Sequence, residues 1–282
     1  MKSNHPNISR RSFLAGVGGA AVGLGITRAP VTAFADEMLP PLPWSGFYAE
    51  LDPDDVRLRA FCLDGQGGCG HGGGQALIDA LAATVGDPWT KLPSGMYRYA
   101  GGGVGWGTLC GALNGTIAVM GLLGVNGILG NALMEYYSTT ELPTNALEGW
   151  VPCHPDYENC SCDGEPLPEV VTSVSDSPLC HISVSTWAAA QGVLVTDPLK
   201  KVRCGRLVAD IAYKATLLLN DYFLNQQRPP AWQPAEEYAD CYMCHTPGSE
   251  TVPSQNSKMN CVECHEPATT HGVWEKKGHK KE

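Results

Sequence analysis

The chain has 282 residues, 43% of them hydrophobic and 17% charged, which is enough apolar material for one or two packed domains and too much for a disordered tail. Its 19 Lys and Arg stand against 29 Asp and Glu, a formal charge of -10, and the lack of a basic footprint excludes general nucleic-acid binding. Twelve cysteines exceed what packing in a cytosolic enzyme needs and fall short of a small disulfide scaffold, so most are expected to be ligands or attachment points.

Residues 1–35 read as an export address. Ser9-Arg10-Arg11-Ser12-Phe13-Leu14 precedes a Gly-rich, mildly apolar run over 15–26, and Ala33-Phe34-Ala35 supplies a small-x-small cleavage site. The run is shorter than the roughly 20 residues a membrane span needs, so a twin-arginine signal and a periplasmic destination are expected. Cleavage removes Lys2, Arg10, Arg11 and Arg28 but no acid, leaving 15 basic against 29 acidic residues and a mature charge of -14.

From 36 to 230 a mainly α-helical, cysteine-rich domain is expected. Residues 75–85 have helical apolar spacing. Residues 110–137 are a long apolar stretch, but Gly115, Gly121, Gly124 and Gly127, with Asn114, Asn126 and Asn131, argue for buried helices at close backbone approach and against a membrane span. Residues 143–178, rich in Pro, acids and Cys, read as a long functional loop or an excursion organised by a cofactor. A cleaner amphipathic helix is expected to open at Cys204, with Leu207, Val208, Ile211, Ala215, Leu218, Leu219 and Tyr222 at helical intervals. Arg228-Pro229-Pro230-Ala231-Trp232-Gln233-Pro234 then reads as the linker to an irregular segment, 231–282.

That last segment carries the most specific chemistry. Cys241-Tyr242-Met243-Cys244-His245 and Cys261-Val262-Glu263-Cys264-His265 are two complete C-x-x-C-H motifs, the pattern for covalent attachment of c-type haem. Two thiols three positions apart reach the vinyl groups on one edge of the macrocycle, and the adjacent imidazole falls under the iron as proximal axial ligand. A four-cysteine zinc ribbon has compatible spacing, yet it needs neither His, and both are present at the same place. The polar stretch between the motifs, 246–260, offers little core of its own, so covalent haem is expected to substitute for one. Attachment points only twenty residues apart also favour closely spaced haems.

Each iron then needs a sixth ligand or an open site. The distal candidates are His181, His154 and His271. His279 lies in a lysine-rich tail, His71 reads as a residue at a helix start, and Met96, Met120, Met134 and Met259 are further possible axial ligands. Coordination by two histidines at both irons is the favoured reading.

Eight cysteines remain in the middle of the chain: Cys62, Cys69, Cys110, Cys153, Cys160, Cys162, Cys180 and Cys204. Disulfides are one reading, permitted by the even count and an exported chain. Against it, Cys69 and Cys110 sit beside Gly-rich stretches at apparent helix starts, where free backbone N–H groups favour thiolate and cluster charge. The run Gly101-Gly102-Gly103-Val104-Gly105-Trp106-Gly107 faintly resembles a nucleotide loop, but no Walker lysine follows it.

Gly68-Cys69-Gly70-His71-Gly72-Gly73, then Gly101-Gly102-Gly103, Cys110-Gly111-Ala112-Leu113-Asn114-Gly115 and Cys204-Gly205-Arg206-Leu207-Val208, resemble redox proteins known by a GCAxxG motif, with Gly70 in place of its usual Ala. With the export signal and the two C-x-x-C-H motifs, nearly the whole mature length resembles the split-Soret cytochromes c of sulfate-reducing bacteria. That resemblance implies a homodimer with two stacked, bis-His haems per subunit and an additional [2Fe-2S]-type iron–sulfur cluster. It also implies that His154, His181 or His271 can be shared between subunits. For the cluster it implies Cys62, Cys69, Cys110 and Cys204, with Cys153 and Cys180 as rivals.

Two functional classes follow, and a purely structural zinc and disulfide module is a distant third. An electron-transfer protein would relay through cluster and haems, dock a basic redox partner on its acidic surface, and show six-coordinate, low-spin iron. A haem-dependent reductase of small molecules, such as nitrogen or sulfur oxyanions, would keep one haem open to substrate. No Ser-His-Asp set or paired-carboxylate site stands out, so no catalytic residue is assigned and electron transfer is favoured over an enzyme.

Overall fold

The computed structural model describes residues 39–147, 149, 153–157, 166–245 and 257–262, except the side chains of Met243 and Cys244. The export address, Cys160, Cys162, Cys264, His265, His271 and His279 therefore lie outside the described residues. Helix α1 (Pro53–Gly67) starts where Asp52 accepts the N–H groups of Asp54 and Asp55 and Pro53 fills the first helical position, which has no need of an N–H. Gly68 takes φ 80, a conformation open to glycine alone at little strain, and the chain turns directly into α2 (Cys69–Val85). The apolar stretch 110–137 forms two helices, α3 (Gly111–Leu122) and α4 (Asn126–Thr139), because Gly124 at φ 76 breaks it. Beyond the long loop come α5 (Cys180–Gln191), the 25-residue α6 (Leu199–Phe223) and α7 (Glu236–Cys244).

The fold is thus mainly α, as the sequence implies, and no sheet forms among the described residues. Helix α2 lies at the centre, against α1, α3 and α6, while α4 packs on α3 and α6. The main core gathers Leu77, Leu81, Leu113, Met120, Leu129, Leu207, Ile211 and Leu219, each at most 1% exposed. Leu218 and Tyr222, expected on the buried stripe of α6, lie at its edge, half-buried against that core. No described helix is long and apolar enough to cross a membrane.

The α2–α3 contact explains the glycines. A methyl group at Gly73 would stand 2.6 Å from Thr116 Oγ1 and 2.9 Å from the Ala112 carbonyl, and one at Gly115 would collide with the Gly70 carbonyl. The two helices therefore meet backbone to backbone, closer than any side chain allows, and their first residues are drawn together.

The loop from 143 to 178 is pinned by buried charge. Asp210 on α6 accepts the Thr144 N–H at 2.6 Å and its hydroxyl at 2.7 Å, and Arg206 Nη2 donates to the Pro168 carbonyl at 3.1 Å. Antiparallel bridges Leu142 to Ser173 and Leu109 to Leu179 close its ends. Residues 257–262, beyond α7, reach back to the body, where Lys258 Nζ donates to Asn131 Oδ1 of α4 at 2.9 Å.

Candidate functional site: a buried thiol cluster and a haem-attachment segment

Three helices begin at cysteines that face one another. Cys69 is the first residue of α2, Cys110 caps α3 and Cys180 is the first residue of α5. A short ladder locks the last two side by side: the Cys110 N–H donates to the Pro178 carbonyl at 3.0 Å and the Cys180 N–H to the Thr108 carbonyl at 2.7 Å. The turn over Cys180 must be glycine, since a methyl at Gly102 would sit 3.1 Å from the Cys180 sulfur and φ there is 56. Cys204 joins from α6. All four are free thiols. The positive ends of three helices thus point at one region of sulfur, which favours thiolate.

Their electrostatics are unequal. The Cys69 thiol donates to the Cys110 sulfur, which drives the Cys110 pKa down and the Cys69 pKa up. Burial opposes ionisation of Cys110, but Tyr137, the Ala112 N–H and the charge of Arg203 add to the lowering. Burial pushes Cys204 up to about 11 and, with the Cys110 charge, Asp64 up to about 7. The Tyr137 hydroxyl is buried without a well-formed hydrogen bond and faces Cys110. Among the described residues, no three His, Cys, Asp or Glu side chains are already arranged around a single point as metal ligands. The donor chemistry nevertheless fits an iron–sulfur group, whose thiolates are shared out between iron atoms.

Two of the expected sulfurs lie elsewhere. Cys62 is disulfide-bonded, and a sulfur so engaged is no thiolate ligand; this departs from the expected cluster set. Cys153 stands exposed on the long loop. Cys180, expected only as a rival, takes the place beside Cys110 because its helix start is laid against the extended segment 107–110.

The histidines separate as clearly. His154 is 3% exposed, its Nε2 bonded to Asp55 Oδ1 at 2.8 Å and its Nδ1 accepting the Asp156 N–H at 3.1 Å. Both ring nitrogens are occupied in fastening the loop to α1, so the structure disfavours His154 as an axial ligand. His181 is exposed, with Nδ1 held 3.0 Å from the Gly107 carbonyl. That contact fixes the tautomer and leaves Nε2 facing outward, the arrangement of a metal-ligating imidazole with its supporting partner. His71 is buried 1% exposed inside α2. Of the methionines, Met120 is core, Met96 is exposed, and Met134 and Met259 line a cavity of about 280 Å³ that also takes in Trp232, Tyr238 and Lys258.

The first C-x-x-C-H motif closes α7. Cys241 and Cys244 are three residues apart on a helix, hence on one face, and the His245 N–H caps the helix on the Cys241 carbonyl at 3.0 Å. The start of the second motif folds back on it: Tyr242 donates to the Ser257 carbonyl at 2.6 Å and Asn260 Nδ2 to Glu237 Oε1 at 2.5 Å. The Cys261 thiol, its pKa raised by burial and by the nearby Cys241, points its sulfur at the Met259 carbonyl at 3.8 Å.

No family model matches the chain. Split-Soret cytochrome c of Desulfovibrio desulfuricans is 30% identical to it over 280 residues, spanning 92% of this chain and 95% of that protein. The chain belongs to the split-Soret cytochrome c family. A solved structure of the D. desulfuricans cytochrome, reported to hold a novel iron centre, matches with a TM-score of 0.64 at 28% identity, covering 77% of this chain and 89% of that one. The split-Soret relationship therefore holds in the fold as well as along the sequence.

Proposed function

We propose that this split-Soret cytochrome c transfers electrons in the periplasm after twin-arginine export. Two haem c groups would be held by Cys241, Cys244 and His245 and by Cys261, Cys264 and His265. An iron–sulfur centre, read as [2Fe-2S], would be held by Cys69, Cys110, Cys180 and Cys204. The haem segment would begin at the linker near residue 231. What carries the reading is the fold-back of residues 257–262 onto α7, through Tyr242 on the Ser257 carbonyl and Asn260 on Glu237, which brings the starts of two haem-attachment motifs together. When bound, haem and iron–sulfur groups supply one-electron iron couples.

The chain's own residues do the rest. Cys110 is held as thiolate by Cys69, Tyr137 and three helix starts. The α2–α3 glycine contact excludes water from Cys110, which is 4% exposed. His181 is oriented through Gly107 and presents Nε2 at the surface as distal ligand, to a haem of its own chain or of a second copy in a homodimer. The acidic mature surface would steer a basic redox partner.

An optical and EPR spectrum of the exported protein, oxidised and reduced, with iron and acid-labile sulfide analysis, tests this. A split Soret band, low-spin haem and two non-haem iron atoms per chain are expected. High-spin haem that binds cyanide or nitrite would put a reductase in its place, and absence of haem would overturn the reading.

A further inference from the structure

Arg203 is a buried cation that pairs with no carboxylate among the described residues. It is 1% exposed, its Nη2 donates to Ser183 Oγ at 2.7 Å and more weakly to the Ser183 carbonyl at 3.4 Å, and its Nε has no partner. No carboxylate among the described residues lies within ion-pair distance of it. Elsewhere in the molecule the same problem is solved conventionally. Arg59 pairs with Asp55 at 2.6 Å and with Asp156 at 2.8 Å, and Arg57 with Asp54 at 2.9 Å. An uncompensated guanidinium in a dry interior costs several kcal/mol, so the fold must supply an anion. Thiols stand beside it on both helices: Cys204 is the next residue on α6, and Ser183, which holds the guanidinium, lies one turn along α5 from Cys180, whose N–H is laddered beside Cys110; its charge accordingly favours the thiolates of Cys110 and Cys204. The uncharged residues around it are also committed, since Ser183 holds it from α5 and Tyr137 turns its hydroxyl toward the same sulfur.

We infer that Arg203 is the built-in counter-charge of the iron–sulfur centre: Ser183 holds its guanidinium against the thiolates of Cys110 and Cys204, where it stabilises the more negative, reduced state and raises the centre's potential. The inference rests on the iron–sulfur reading of the four thiols. Net charge and hydrogen bonds at the sulfurs are among the main levers on such potentials. A fixed buried cation acts at full strength because little water screens it. Lysine would keep the charge and lose the fork that Ser183 grips; glutamine would lose the charge.

The experiment is a redox titration of the purified holoprotein, following the EPR signal of the reduced centre, with the haem bands of the same sample as internal standard. Wild type is compared with Arg203→Gln, Arg203→Lys and Ser183→Ala. Arg203→Gln is expected to shift the centre to more negative potential with the haems unmoved, Arg203→Lys to restore most of the shift, and Ser183→Ala to give a smaller shift of the same sign. Loss of non-haem iron in Arg203→Gln but not in Arg203→Lys, with haem content and helicity intact, would support the same role. An unchanged potential in iron-loaded Arg203→Gln overturns it, as does an equal shift at the haems. If both Arg203 variants lose iron, Ser183→Ala decides, a negative shift supporting the role and no shift overturning it. Wild-type protein without non-haem iron would sink the iron–sulfur reading itself, and this inference with it.

Discussion

The helical body and the C-terminal segment solve the placement of cysteines in opposite ways. In the body the chain does the work: α2 and α3 meet glycine to glycine, three helices start at the same place, and Cys110 is 4% exposed before any cofactor is considered. Among the described residues of the segment, only Tyr238 and Asn260 are buried, each at 9%, and a handful of hydrogen bonds fold 257–262 onto α7. A prosthetic group would be a guest in the first region and most of the core in the second. Covalent attachment suits the second, where packing alone offers little to hold a macrocycle; coordination by buried thiolates suits the first.

The sharpest test of that contrast is His245→Ala. Attachment and ligation use different atoms, so haem should stay on Cys241 and Cys244 while its low-spin spectrum is lost. An unchanged optical spectrum would remove His245 from the axial position. Next comes a pair in the body. Cys110→Ser should abolish non-haem iron and acid-labile sulfide and leave both haems, whereas Cys62→Ser should keep the iron and cost about 2–5 kcal/mol in urea unfolding through its disulfide. Iron lost in Cys62→Ser at unchanged stability would return Cys62 to the ligand set and break the distinction between cofactor sulfurs and structural ones.

How far this was legible in the sequence depends on whether a feature is local. The C-x-x-C-H motifs are fully local and can be read directly from the sequence, but the helix α7 that the first of them closes lies in a segment expected to be irregular. Cys69 and Cys110 were legible as helix starts because glycine-rich runs precede them. Helix α6 was read as opening at Cys204 but begins at Leu199, where Asp197 Oδ1 accepts the Leu199 N–H at 2.9 Å; Asp197-Pro198 before an apolar run was a usable start signal. Cys180 was harder. Leu179 at its N-cap makes no side-chain cap, and only the buried spacing of Ser183, Trp187 and Ala188 betrays α5. The Cys62 disulfide and the burial of Arg203 away from every described carboxylate are long-range facts, for pairing cannot be deduced from one sequence and the neighbours of a buried charge are visible only in three dimensions.

The packing side of the comparison is tested by Gly115→Ala. The added methyl would meet the Gly70 carbonyl and lie 2.9 Å from the Gly74 nitrogen, so α3 must move away from α2. A loss of about 1–3 kcal/mol in chemical denaturation is expected, with reduced iron loading, because Cys69 and Cys110 separate. Neither effect should reach the haem bands. A variant as stable and as iron-rich as wild type would show that the close helix contact is not what holds the thiols together.

The smallest expected effect concerns the strap that covers the body. Asp55 is pushed up by burial, but hydrogen bonds from Arg59 and His154 outweigh this and hold its carboxyl below its ordinary value of 3.8. Because the folded pKa is the lower one, the contribution is present above pH 3.8 and is lost as pH falls through the folded value. The side chain is 37% exposed, so solvent screening keeps the effect to about 1 kcal/mol or less. Asp55→Asn should therefore lower the urea midpoint at pH 7 and converge with wild type as pH falls below the lowered Asp55 value. Equal midpoints across this range would show that the 153–157 strap is held by Tyr157, which donates to Asp79 Oδ2 at 2.6 Å, and that the ion pairs of Asp55 add nothing to it. Loss of iron in Asp55→Asn would mean instead that the strap and the thiol cluster are one cooperative unit.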